Sequence, residues 1–140
     1  MEKDDKKPIR YVTAALIVND KTQEVYLIKR AREPFKDYWS LPGGVGFSRE
    51  IDNPEIAVAE EIKGDLGCKF IVKGLVLKTR ANKLENKLPG YFYYGNMVGK
   101  PRLTQRFVSD GKWFKIKEAI KINLAFEGNR VIEEYAKQHQ

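Results

Sequence analysis

The sequence predicts an α/β domain, a sheet carrying two helices, on three observations. Runs rich in β-branched and aromatic residues recur at 11–18, 24–29, 70–78, 91–94 and 113–116. A glycine-rich loop, Pro42-Gly43-Gly44-Val45-Gly46, leads into a helix with start and stop signals. A second amphipathic stretch, residues 126–137, closes the chain. The first kind of run suits a pleated, half-buried surface, and the helical stretches show apolar residues at three- and four-residue spacing.

The first expected strand is 11–18. Asn19-Asp20-Lys21 then supplies a turn, and 24–29 pairs back as a hairpin. Its end, Lys29-Arg30-Ala31-Arg32, sets three cations at one end of the sheet. Arginine suits phosphate there through its forked guanidinium, and a solvated strand end is the plain alternative. Residues 33–37 form a loop into a short strand at 38–41.

Pro42-Gly43-Gly44 cannot continue a regular strand, and the glycines leave backbone groups uncovered for a ligand. Asn53 suits an N-cap, Pro54 the first helical position and Gly67 the stop. Val58, Ile62 and Leu66 recur four apart with Ala59 beside them, so this stripe faces a core. Glu61 and Asp65 are also four apart, which brings their side chains together at the edge of the stripe. Two neighbouring carboxylates repel unless a cation lies between them, and hard oxygen ligands suit Mg²⁺ or Mn²⁺. Alone, such a pair is ordinarily a solvated acidic face. The glycine loop upstream shifts the reading toward a metal–phosphate site.

Further along, 70–78 is a strand pair or one long bent strand with Gly74 at a bulge. Residues 80–90 are a polar connection. Alternation splits Tyr91-Phe92-Tyr93-Tyr94 between the two sheet faces, one pair for the core and the other for sheet packing or a nucleobase. Gly99-Lys-Pro101 and Ser109-Asp-Gly-Lys112 read as turns, the second before a strand at 113–116. A helical turn at 117–122 precedes the closing helix, whose buried side is Val131, Ile132 and Tyr135.

A chain of 140 residues with 42% hydrophobic and 32% charged residues is long enough for one cored domain. Residues 1–9 read as a disordered charged tail and 10–140 as the single domain. No apolar run approaches the roughly 20 residues that span a bilayer. The N-terminus lacks the apolar region of a signal peptide, so a cytoplasmic protein is expected. One cysteine excludes an intramolecular disulfide and a cysteine-cluster zinc site, and Cys68 suits a small buried side chain. The sole histidine, His139, stands at a frayed end, so a Ser-His-Asp or Cys-His mechanism is discounted. Carboxylates and a metal must then do any chemistry. The net charge of +7 favours polyanionic partners. The basic residues are spread along the chain, which makes a nucleotide a better expectation than nucleic acid. Oligomeric state leaves no sequence signal.

The loop and helix together resemble the Nudix box. Gly44 and Glu50 match its first spacing, and Glu61, Ile62 and Gly67 match its second half. Pro42-Gly43 and the preceding Tyr38-Trp39-Ser40-Leu41 are also typical of that family. The box is degenerate: two extra residues separate Glu50 from the helix, Glu60 replaces an arginine, Gly64 and Asp65 replace paired glutamates, and Cys68 replaces an aliphatic residue. The resemblance covers roughly residues 10–137. It implies an α/β/α sandwich with a mixed sheet between helices. It also implies Mg²⁺-dependent (or Mn²⁺-dependent) attack of water on the pyrophosphate of a nucleoside diphosphate linked to another group. By the same resemblance Glu61 is the principal metal ligand or base, Asp65 a second ligand, and Gly44 a carbonyl ligand. Glu50 and Asp110, an acid shortly before Trp113, are further catalytic candidates. Arg30, Gly43 and Gly44 would receive the substrate. A working hydrolase is the preferred expectation, and a catalytically silent nucleotide- or partner-binding module is the alternative.

Overall fold

The computed structural model describes residues 8–103 and 106–139. The expected tail at 1–9 lies, except for Pro8 and Ile9, outside the described residues. Strand β1 (Val12–Asn19) organises the sheet. It runs parallel to β6 (Gly90–Val98), and meets β2 (Glu24–Arg30) antiparallel only at Ile17, Val18 and Asn19. On the other side of that contact the two strands part. Two short strands fill the gap, β3 (Trp39–Ser40) on β2 and β4 (Gly43–Gly44) on β1. Strand β5 (Lys69–Thr79) pairs antiparallel with β6, and β7 (Val108–Lys115) pairs antiparallel with β2. The splayed gap matters for function, because it lets the glycine segment enter the sheet beside β1.

Alternation along β1 and β2 builds two cores. Leu16, Val18, Val25 and Leu27 pack with Val131, Ile132 and Tyr135 of α3 (Gly128–Gln138). Ala15, Ile17, Tyr26 and Ile28 pack with Val58, Ile62 and Leu66 of α1 (Pro54–Leu66). A helix on each face of a mixed sheet is the expected sandwich. The three α1 residues are fully buried, each worth about 1.5–3 kcal/mol relative to exposure. A short helix, α2 (Ile116–Ala119), links β7 to the last segment. No described helix is long and apolar enough to cross a membrane.

The local signals of α1 hold in detail. Asn53 Oδ1 accepts the Glu55 N–H at 2.9 Å, Pro54 opens the helix, and Gly67 closes it at φ 68°. The closing helix begins at Gly128, two residues later than expected. Strand β5 is one long strand whose register shifts on either side of Gly74. A Cβ on Gly74 would stand 2.7 Å from Tyr94 Cε1, which accounts for the glycine.

Two expectations need correction. Ser109-Asp-Gly-Lys112 is not a turn but part of β7, held by pairing to β2 from Glu24↔Lys115 to Arg30↔Val108. His139 is not frayed: its ring stacks on Tyr135 at 4.1 Å and lies 4.8 Å from Tyr94. The 91–94 cluster splits between the sheet faces as expected, Phe92 and Tyr94 on one and Tyr91 and Tyr93 on the other. Tyr91 stands edge-on to Tyr11 under the Lys78 ammonium, and Tyr94 packs on Tyr135. Phe92 and Tyr93 are buried on opposite faces.

Candidate active site

The site is built where α1 passes beneath the glycine segment. Gly43 sits so close to β1 that a Cβ would lie 2.3 Å from the Thr13 carbonyl oxygen and 2.5 Å from Ala14 Cα. Only glycine fits there, and its role is close packing of β4 against β1. Gly44 faces the other way: a Cβ on it would look onto the Glu61 carboxylate, 3.6 Å from Oε2. Its carbonyl accepts a long hydrogen bond from Thr13 Oγ1 at 3.4 Å.

The next glycine makes the direct contact. Gly46 N–H donates to Glu61 Oε1 at 3.0 Å, and a Cβ at that position would stand 2.6 Å from the same oxygen. Gly46 was not singled out in the sequence, since a partner 15 residues away leaves no local pattern. Glu61 is in turn hydrogen-bonded to Asp65. Helical spacing therefore brings the two carboxyls into contact at the edge of the buried stripe, as the sequence implies.

Burial, then the Asp65 charge and hydrogen bond, push Glu61 up from 4.5 to about 7, against a smaller opposing pull from the Gly46 N–H. Burial also raises Asp65, partly offset by its bond to Glu61. The cause is plain: two carboxylates taken partly out of water cannot both stay charged without a cation, so they hold a proton between them. Among the described residues no lysine or arginine forms an ion pair with either acid. The donor set is thus two hard oxygen groups in contact, lacking positive charge. It fits a small divalent ion such as Mg²⁺, which keeps several waters and takes one or two carboxylates plus substrate phosphates. No group of three His, Cys, Asp or Glu that could hold a metal occurs among the described residues. At Gly64, the family's other acidic position, a Cβ would meet nothing within 4 Å.

The remaining candidates are scattered. Glu50 is exposed on the 45–53 loop, and no hydrogen bond or ion pair joins it to Glu60, Arg49 or Lys63 among the described residues. Asp110 pairs across from Lys29, in register with Leu27↔Lys112 and Val25↔Phe114, on the face that carries α3. Strand alternation therefore sets it on the sheet face opposite Glu61, and its Oδ1 accepts the Gly111 N–H at 2.8 Å. Arg30 is engaged with the loop that follows β2. Its Nε donates to the Pro34 carbonyl at 2.7 Å, and its guanidinium lies 4.9 Å from the Phe126 ring centroid.

Arg10, which the sequence reading passed over, shapes the loop that carries the two-residue insertion. Its Nε donates to Ser48 O at 2.9 Å and an Nη to Ile51 O at 3.1 Å, and it pairs with Asp52. Tyr11 Oη also bonds to Ile51 O. By the resemblance to the Nudix box, an arginine on the helix would fix Glu50, and here Glu60 stands in that place. Contacts from the start of β1 hold the loop instead, about 40 residues away in sequence, a separation that no motif reports.

Sequence comparison with family models and with characterised proteins finds no match. Comparison of folds finds many. A MutT Nudix hydrolase from Burkholderia pseudomallei superposes with a TM-score of 0.71 at 25% identity, over 89% of this chain and 96% of that one. The Nudix domain of Shewanella oneidensis NrtR, solved in complex with ADP ribose, gives 0.76 at 18% identity, over 100% and 94%. A MutT protein from Methanosarcina mazei gives 0.75 at 19% identity, over 96% and 97%. These likenesses span essentially the whole domain in both partners, and they meet the degenerate box read from residues 44–67. By its fold, the chain belongs to the Nudix superfamily.

Proposed function

We propose that this chain is a Mg²⁺-dependent Nudix pyrophosphohydrolase acting on a nucleoside diphosphate linked to another group. The observation that carries the reading is the contact of Glu61 with Asp65 beneath Gly46, a half-buried acid pair with no ion pair to a described cation. Superposition on a hydrolase and on a domain bound to ADP ribose supports the reaction and the ligand class.

Glu61 and Asp65 would hold the ion, with the Gly44 carbonyl beside them. A divalent ion bound there supplies positive charge for the phosphate oxygens and acidifies water. The protein's own part is orientation and proton handling. Gly46 N–H fixes the Glu61 carboxylate, and the missing side chains at 44 and 46 leave that carboxylate open to a phosphate. The value near 7 belongs to the pair before a cation is bound; with its proton displaced, Glu61 would be the carboxylate placed to accept a proton from the attacking water. Glu50, on the same loop as Gly46, is the further acid assigned to this site. Asp110, on the other face of β7, is not assigned to it.

A binding module without catalysis is the competing reading. What favours it is the open position at Gly64, which leaves two carboxylates where the family carries three. One assay separates them: nucleoside triphosphates, ADP-ribose, nucleotide sugars and dinucleoside polyphosphates, each with Mg²⁺ and Mn²⁺, followed for phosphate or nucleotide release. Turnover of a nucleoside diphosphate derivative supports the hydrolase. Silence across the whole panel assigns the binding module.

A further inference from the structure

We propose that the open edge of β5 is a docking edge for a partner protein, which adds an extended acidic segment to the sheet as one more strand. The inference is independent of the acid pair and of any turnover.

The backbone leaves the place open. Strand β5 runs for 11 residues and ends the sheet, in the order β3-β2-β1-β6-β5, so β6 is its only paired neighbour among the described strands. Over residues 69–75 no described loop or side chain bonds to its backbone. The next carbonyl, Val76 O, is taken by Gln138 Nε2 at 3.0 Å. The outward N–H and C=O groups of 69–75 are therefore left to water or to another strand.

The side chains there follow a pattern. Lys69, Ile71 and Lys73 stand at alternate positions. Ile71 lies opposite Asn96, whose Nδ2 donates to Asp20 Oδ2 at 3.4 Å, and the same oxygen takes the Lys73 ammonium at 3.1 Å. Lys73 thus stays on the Ile71 side across the register shift at Gly74. Ile71 is 44% exposed, and Val98, across from Lys69, is 53% exposed. Lysines on an edge are an ordinary guard against self-pairing. A guard alone would be polar throughout, and here an exposed isoleucine lies between the two lysines with an exposed valine near it.

Charge selects the occupant. The strand carries Lys69, Lys73 and Lys78 and no acid. A second copy of β5, paired antiparallel about Ile71 or Lys73, would set lysine against lysine, and like charges directly opposite are destabilising. Lys69 and Lys78 make no ion pair with a described acid. A segment with an apolar residue between two acids meets the pattern: an acid at Lys69, the apolar side chain on Ile71, an acid at Lys73. Main-chain bonds would supply affinity and the side-chain pattern specificity. Repelling a copy while accepting an acidic strand is discrimination between partners. Strands β1 and β6 lie between β5 and β4, so the added strand leaves the glycine segment uncovered.

The test follows backbone amide NMR signals of the metal-free protein as blocked nonapeptides are added. The acidic probe is Thr-Thr-Glu-Thr-Val-Thr-Glu-Thr-Thr, and its counterpart has lysine in place of both glutamates. The probe reads the same in both directions, so it fits a parallel or an antiparallel strand. The acidic peptide should shift the amides of 69–75 and slow their exchange, leaving 43–53 unchanged, and the lysine peptide should do neither. Added salt should weaken binding, because the charges are exposed. Lys69→Glu should lower affinity about fivefold or more, and Ile71→Thr, which keeps a strand-forming residue, should lower it as well. Lys117→Glu, the same charge change on α2, should stay near the wild type. The proposal is overturned if the acidic peptide at millimolar concentration moves no β5 amide, or if the lysine peptide moves them equally. It is also overturned if Lys69→Glu and Lys117→Glu weaken binding alike, or if the peptide-free protein dimerises through 69–75. The two peptide comparisons use the wild type, so they stand even where a variant misfolds.

Discussion

Two ends of this molecule treat charge in opposite ways. Under the glycine loop, Glu61 and Asp65 are half-buried, touch each other and have no described cation within ion-pair distance. At the end of β2, Arg30 lies against the exposed Phe126 ring, and Arg32 and Arg106 against Phe107, with no ion pair to a described carboxylate. On the proposed function, a phosphate with its metal ion would bring the charge that each half lacks. Glu61 and Asp65 lie on a regular helix, whereas Phe35 and Phe126 lie on loops at positive φ. Rigid placement suits the chemistry, and loops suit recognition.

The largest effect should come from removing the charge at the acid end. Glu61→Gln keeps the shape and the Gly46 contact but can neither accept a proton nor bring a charge to the ion. Turnover should fall on the order of 10² or more, measured by initial rates at saturating Mg²⁺. Undiminished turnover would remove Glu61 from the mechanism.

The acid end also makes stability depend on pH. Folding raises Glu61 from 4.5 to about 7, so the folded chain binds a proton that the unfolded chain has already released over that window. Metal-free stability should therefore fall as pH rises from about 4.5 to about 7. Glu61→Gln should flatten that fall, and Mg²⁺ at pH 8 should raise the wild-type Tm. Melting curves at pH 5 and pH 8, with and without Mg²⁺, test the sign. A wild-type profile identical to that of the variant would contradict it.

A smaller effect probes how the loop beside the acid end is held. Arg10→Ala removes the donors to the Ser48 and Ile51 carbonyls. It should cost about 1–2 kcal/mol in chemical denaturation and speed amide exchange across residues 45–53, leaving α1 protected. Uniform exchange changes over the whole chain would show that Arg10 supports the fold generally rather than this loop.

The smallest change should follow Gly64→Glu. Glycine within a helix costs up to about 1 kcal/mol relative to better helix formers, and the added side chain meets open space. Stability should rise by less than that amount, reduced by repulsion from Glu60 and Glu61, and Mg²⁺ should bind more tightly if position 64 faces the ion. If neither stability nor metal affinity changes, position 64 points away from the site.

What the sequence disclosed follows the range of the interactions. The α1 caps, its buried stripe and the Glu61–Asp65 contact all depend on residues within a few positions, and each is found in the structure. Ser109-Asp-Gly-Lys112 carries strong turn chemistry, yet pairing with β2 overrides it, because a whole strand edge outweighs a local preference. The bonds from Gly46 to Glu61 and from Arg10 to the 45–53 loop join segments too distant for any local pattern. The Phe35–Phe126 contact spans most of the chain, and neither phenylalanine stood out beside the denser Tyr91–Tyr94 run. Local chemistry named the acids. Only the fold brought the glycine, the anchoring arginine and the two phenylalanines to their places.

The central claim is that the acid pair is a cation site, and proton release on metal binding tests it most directly. Mg²⁺ is titrated by calorimetry into the wild type and Glu61→Gln at pH 6 and pH 8, in buffers of different ionisation enthalpy. At pH 6 the pair holds its proton, so Mg²⁺ must displace it. Binding should be accompanied by release of about one proton at pH 6, less at pH 8, with tighter affinity at the higher pH. Glu61→Gln should lose both the binding and the release. Absence of Mg²⁺ binding by the wild type, or equal proton release by the variant, would contradict the account.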